Sequence, residues 1–434
     1  MRFAPTVLRR GLRVVAPGQP RSQRIHDLVE LLPNARADAA EGRTAAAALR
    51  VADVRGLAVI SDQRLNPVAD SASHRLAWLI RLAIRDGWKV SFHSTRRRQW
   101  FLVDRDLQLH ATAQPPPASV AWVVRPEAAA VTMPALASLR PSLRVVYDSM
   151  DLHYLRLQRE SHITNSRGLA LQARLMKELE RQVSSRADVA VAITDLEAPL
   201  LRKLAGRADV VVLPNVHEPT NGDPPPLSAR AGLLFVGNFT HTPNLDALQV
   251  LAREVMPRLW EHRPELSLAV AGRGLESLEL DPRIQQLGFV ENLDALVDRS
   301  CALVAPLRFG AGLKGKIGYA LARGLPAVTT PIGVEGFIEP TGMRVLHDGD
   351  WQAFAYKTLE LIGNAELWSR SSAAGFELTR CHYSPQVILS TLRQILNPSP
   401  IAVEGDATLN DQRIGGQGWL EDTEETGLSD GTRP

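Results

Sequence analysis

The stretch SCALVAPLRFGAGLKGKIGYALARGLPAVTTP (300–331) decides the fold. An apolar run over 300–307 passes into a glycine-rich turn, then a helical pattern from about Lys314, then a second apolar run over 325–331. Continuous apolar runs of this length, without polar alternation, fit strands covered on both faces. A strand, a helix and a strand in that order form a crossover unit whose strands are parallel.

Upstream, the alternation repeats through GLLFVGNF (232–239), a helix over 244–260, ELSLAVAGRG (265–274), IQQLGFV (284–290) and a short helix near Leu293. VHEPTNGDPPPLSARAG (216–232), dense in Pro, Gly and Asn, then reads as a linker. Before it, GLAVIS (56–61), a helix over 72–87 ending in glycine, WKVSFHS (88–94) and VAWVV (120–124) open another such unit. A helix after Pro126, LRVVYDS (143–149), a helix through 171–183, DVAVAIT (188–194), a helix from Asp195 and DVVVLPN (209–215) complete it. Helical segments at 350–363, 366–380 and 385–396 follow the second unit. The expected class is therefore α/β, with two Rossmann-like, doubly wound parallel-sheet domains over 55–216 and 232–384, a linker over 217–231, and a helix over 385–397 that packs back on the first domain. Residues 1–54 are expected to be a flexible extension with at most one short helix over 24–32, and 398–434 a disordered acidic tail.

Bulk properties narrow the function. A chain of 434 residues with 45% hydrophobic and 22% charged residues suits two globular cores. A net charge of +3, with arginines dispersed among acids, argues against a nucleic-acid partner. Cys301 and Cys381 show no metal or redox spacing, which fits reduced thiols in the cytoplasm. No apolar run is long enough to span a bilayer, although the basic N-terminus leaves room for peripheral contact with the inner membrane face.

Ligands of open parallel sheets gather beyond the carboxyl ends of strands. Three such turns stand out in the second half: Gly237-Asn238, Gly272-Arg273, and the loop with Gly310, Gly312, Leu313, Lys314, Gly315 and Lys316. Two lysines among exposed amides make a diphosphate cradle. The loop lacks the spacing and hydroxyl of an NTP-binding P-loop, and no GxGxxG opens the first unit, so NTPase and nicotinamide chemistry are disfavoured. In the first half, Asp148, Asp151 and His153 follow a strand, and Asp62, Arg64 and Ser73 follow another. Trp78, Trp88, Trp122 and Trp260 fall in strand or helix patterns and are expected in the core. No essential metal or cofactor is expected.

Taken together, VVYDSMDLHYLRLQRE (145–160), LLFVGNFTHTPNLDAL (233–248), LGFVENLDALV (287–297) and APLRFGAGLKGKIGYALARGLPAVTTPIGVEGF (305–337) resemble the retaining glycosyltransferases of family 4, which have the GT-B fold. The resemblance spans roughly 55–397. It implies a sugar transferase using a nucleotide-diphosphate sugar as substrate and a glycan or lipid-linked acceptor, in polysaccharide biosynthesis. It assigns the donor to Gly237, Asn238, Val290, Gly310, Gly312, Leu313, Lys314, Gly315, Tyr319 and Glu335 and a catalytic role to His153; by their places after strands, Gly272 and Arg273 join the donor side, Asp151 and Lys316 join the catalytic set, and Asp62, Arg64 and Ser73 line the acceptor side. One departure stands out: Tyr319 occupies the place of the glutamate that contacts ribose in that family, and a hydroxyl accepts fewer hydrogen bonds than a carboxylate. A catalytically silent sugar-nucleotide-binding protein and a GT-B-fold sugar-nucleotide epimerase are the rival expectations.

Overall fold

A computed structural model describes residues 49–397 apart from 67–69, 96–98, 141, 207, 277 and 348. The helix expected over 24–32, the extension before residue 49 and the acidic tail lie outside the described residues. The end of the expected extension differs from expectation: Leu49 is buried and Val51 bridges to Ala118, so the ordered chain reaches back before Arg55.

The first half contains β1 (Gly56–Ser61), α1 (Ser71–Arg85), β2 (Lys89–Ser94), β3 (Gln99–Val103), β4 (Leu109–Thr112), β5 (Val120–Val124), α2 (Pro126–Leu136), β6 (Arg144–Asp148), α3 (His153–Ile163), α4 (Arg167–Ser184), β7 (Val189–Ala192), α5 (Ala198–Ala205) and β8 (Asp209–Val212). Their order in the sheet is β4-β3-β2-β1-β5-β6-β7-β8. The expectation of a wholly parallel sheet is corrected at one edge, where β3 and β4 add an antiparallel hairpin to β2. The central strands are mainly apolar because helices cover both of their faces; all five residues of β5 are buried.

The second half contains β9 (Leu233–Val236), α6 (Thr242–Val250), a π-helical turn over Leu251–Val255, α7 (Met256–His262), β10 (Leu268–Ala271), β11 (Ile284–Gly288), α8 (Asp294–Arg299), β12 (Ala302–Ala305), α9 (Gly315–Leu321), β13 (Ala327–Thr329), α10 (Pro331–Val334) and β14 (Met343–Val345). All its strand pairs are parallel, in the order β11-β10-β9-β12-β13-β14. The π turn ends just before Pro257, which has no N–H to continue the regular ladder. α11 (Trp351–Gly363) and α12 (Ala365–His382) finish this half.

The last helix, α13 (Pro385–Leu396), returns to the first half. Ile388, Leu392, Ile395 and Leu396 join the core beneath α1 with Leu76 and Leu79, and Arg144 Nε donates to the Ile395 carbonyl at 3.0 Å. The chain therefore passes between the halves twice. The two passages lie side by side, joined by a hydrogen bond from His217 N to Tyr383 O at 2.8 Å. All four tryptophans expected in the core are buried there.

Candidate functional site

Each sheet reverses its strand order at one place, between β1 and β5 in the first and between β9 and β12 in the second. Crevices form at such points because the flanking crossovers diverge. In the second sheet, the turn after β9 carries Gly237 and Asn238, and the loop after β12 carries Gly310 to Gly315. Gly272, at the end of β10, lies so close that a Cβ there would stand 1.6 Å from the Gly237 carbonyl oxygen. Asn244 Nδ2 donates to Asn238 O at 2.8 Å, and Asn244 Oδ1 accepts from Lys316 Nζ. Lys316 Nζ also stands 4.7 Å from the centre of the Phe235 ring.

Lys316 keeps part of its side chain exposed, but protein packed around its ammonium desolvates it, and with Lys314 nearby this pushes its pKa down to about 7. Burial likewise lowers Lys314, against the pull of Glu335 and Glu197. Lys314 Nζ donates to Gly312 O at 2.6 Å and to Ala311 O at 3.2 Å, folding back on its own loop.

Residues of the first half clasp that loop. Arg159, on α3, donates to both carboxylate oxygens of Glu335 at 2.6 Å and to Gly310 O at 2.7 Å. Glu197 accepts from Gly312 N at 2.6 Å, and Asn215 Nδ2 donates to Leu313 O at 3.2 Å. A Cβ on Gly312, which has φ 68°, would lie 3.0 Å from the Asp151 Cβ, so the two halves meet closely here. Glu335, expected beside the donor, is thus tied to the first half. The backbone groups of Gly310, Gly312 and Leu313 named above already have protein partners.

His153 begins α3 and is buried among acids. Its Nε2 lies 3.0 Å from Asp151 Oδ1 and its Nδ1 lies 3.6 Å from Glu127 Oε1. Burial alone would lower its pKa, but Asp151 and Glu127 outweigh that and push it up to about 10. At neutral pH His153 is an imidazolium facing two carboxylates. That suits electrostatic support rather than a general base. Asp151 is held well below the usual carboxylate range against the effect of burial by Arg156, at 2.5 Å, and by His153. Glu180, wholly buried, accepts from the N–H groups of His153 and Tyr154 at 2.8 and 3.2 Å and so fixes the start of α3.

On the far side of the second crevice, Tyr319 OH donates to Asp294 Oδ1, and Arg323 approaches the same oxygen at 3.1 Å. Burial and Asp294 hold the phenol well above its ordinary range. Arg273 lies 4.2 Å over the exposed Phe289 ring, next to half-buried Val290. In the first half, Arg64 and Ser73 line one small cavity with Ser61, Gln63, Arg125 and Met150, at the β1/β5 switch point beside Asp62. Asp148 and Ser149 lie deeper: Asp148 Oδ2 accepts from Arg75 at 2.7 Å and from Trp122 at 3.1 Å.

Two doubly wound sheets meeting across a cleft define the GT-B fold, and solved structures share it. A sucrose-phosphate synthase from Thermosynechococcus elongatus superposes with a TM-score of 0.58 at 13% identity, over 78% of this chain and 98% of its own. Anabaena HepE, solved with UDP and glucose, gives a TM-score of 0.58 at 14% identity, over 79% and 99%. In sequence, residues 230–364, which carry β9 to α11, match the family described as glycosyl transferases group 1. A curated relative, an uncharacterized 44.6 kDa protein in the cps region of Klebsiella pneumoniae, is 25% identical over 175 residues, 38% of this chain. That match covers 45% of the relative's length.

Proposed function

We propose that the protein transfers a sugar from a nucleotide-diphosphate sugar, held at the β9/β12 crevice, to a glycan or lipid-linked acceptor entering from the first half, with retention at the anomeric carbon. The observation that carries this reading is the position of Lys314 and Lys316. They stand at the switch point of the segment matched to glycosyl transferases group 1, on a loop held against Asp151. The cps-region relative favours polysaccharide biosynthesis.

In this reading the bond from the anomeric carbon to the phosphate oxygen breaks, its electron pair passes to the leaving diphosphate, and the lysines stabilise the charge that builds there. The acceptor oxygen bonds the same face of the carbon, and its proton passes to a leaving phosphate oxygen. No carboxylate pair of the glycosidase kind is needed. The His153 imidazolium and the Asp151 carboxylate position the sugar. The Tyr319–Asp294 contact favours a second reading, a protein that binds the nucleotide sugar without turning it over.

Thermal unfolding in the presence of UDP, GDP, ADP and TDP tests the donor assignment, because a ligand that binds only the native state raises the midpoint. One nucleotide series should raise it by several degrees, and Lys314→Ala/Lys316→Ala should abolish the rise. No rise with any nucleotide overturns the assignment. Donor binding without product over a panel of glycan acceptors favours the second reading.

A further inference from the structure

Glu197 stands at the N-cap of α5, where the first half meets the lysine loop. Its side chain makes no capping bond to that helix and instead reaches the other half, with Oε1 accepting from Gly312 N at 2.6 Å. The residue is 2% exposed, and among the described residues its second oxygen, Oε2, is buried with no hydrogen-bond partner. A carboxylate buried in this way is costly unless its surroundings hold the charge. Burial is the largest influence on its pKa and pushes it up, with Asp151 adding to the push; the Gly312 N–H and Lys314 act in the opposite sense. A loop amide and a lysine ammonium are also what a phosphate oxygen needs. The anion that the loop holds here is therefore the protein's own.

The other acid that acts on Lys314, Glu335, has both oxygens taken by Arg159. The one hydrogen bond to the Glu197 carboxylate among the described residues comes from Gly312. Lys314 meanwhile folds back on the carbonyls of Gly312 and Ala311. The placement of Glu197 is built into the fold. Thr194 Oγ1 accepts from Glu197 N at 3.1 Å, and Thr194 packs so closely on Gly336, at φ 87°, that a Cβ there would stand 2.2 Å from Thr194 Cγ2.

We infer that Glu197 is a built-in competitor of the donor diphosphate: its carboxylate occupies the Gly312 amide in the ligand-free protein, and a diphosphate must displace it before Lys314 and the loop can close on the phosphates. The inference rests on the donor reading for the identity of the displacing group. A glutamate that only shaped the loop would act in the reverse sense, since its loss would weaken the ligand.

Calorimetric titration of the full chain with inorganic pyrophosphate, and with UDP, GDP, ADP and TDP, tests it. Pyrophosphate should bind Glu197→Gln, which keeps the shape and loses the charge, at least fivefold more tightly than the wild type. Glu197→Ala, which removes the acceptor altogether, should show a gain in the same direction and gives the answer should the glutamine variant not fold. The gain should vanish when Lys314→Ala is added. Unchanged or weaker binding in the folded variant, no binding of pyrophosphate to any of these proteins, or a gain that survives Lys314→Ala overturns the competitor. A gain for pyrophosphate with no nucleotide bound leaves the competitor and removes the nucleotide-sugar reading. One nucleotide bound equally by wild type and variants does the reverse.

Discussion

Among single residues, Lys316 carries the sharpest consequence. Its pKa of about 7 means that the cation is formed below neutrality and lost as pH rises. A bound diphosphate restores the charge by taking up a proton, and above pH 7 each pH unit makes that uptake about tenfold less favourable until the pKa of the complex is reached. Calorimetric affinity of the wild type for its nucleotide should therefore weaken between pH 7 and pH 9. In Lys316→Arg, whose guanidinium stays protonated, the profile should be flat. A flat wild-type profile would remove Lys316 from the diphosphate contact. The lysines were legible in the sequence because a glycine loop is local information. Arg159 and Glu197 were not, since they reach the loop from 151 and 115 residues away, and the quoted stretch 145–160 that contains Arg159 does not say which of its side chains crosses to the second half.

At the level of elements, legibility followed burial. Strands covered on both faces appear as unbroken apolar runs, and each central strand coincides with a stretch readable from the sequence. The hairpin β3–β4 escaped because its strands sit at the sheet edge with neither a continuous apolar run nor a regular alternation, and β14 because this short edge strand buries only Met343 fully. α13 is the element whose packing matters most for stability. Leu392 is buried against the first half, so Leu392→Ala should cost about 2–5 kcal/mol of stability, read by chemical denaturation. If the loss is below about 0.5 kcal/mol, the helix is a dispensable appendage.

For the whole molecule, the contact of Arg159 with Glu335 and Gly310 ties the first half to the loop of the second. Its ion pair is only partly exposed and bidentate, a geometry in which arginine is effective. Glu335→Arg should disfavour closure by on the order of 1–3 kcal/mol, as a charged hydrogen bond is lost and like charges meet. Small-angle scattering should then show a larger radius of gyration, returning toward the wild-type value in Arg159→Glu/Glu335→Arg. Unchanged dimensions in the single variant would show that closure is held elsewhere.

The hydrogen bond between His217 and Tyr383 has a mechanical meaning. Two protein halves on one tether can twist and slide as well as swing. Here two straps run beside each other, and the chain crosses from half to half through both. Shared straps suppress torsion and leave a swing about their common line as the soft motion. A swing about that line would return Gly312 to the same register against Asp151, without a search over orientations.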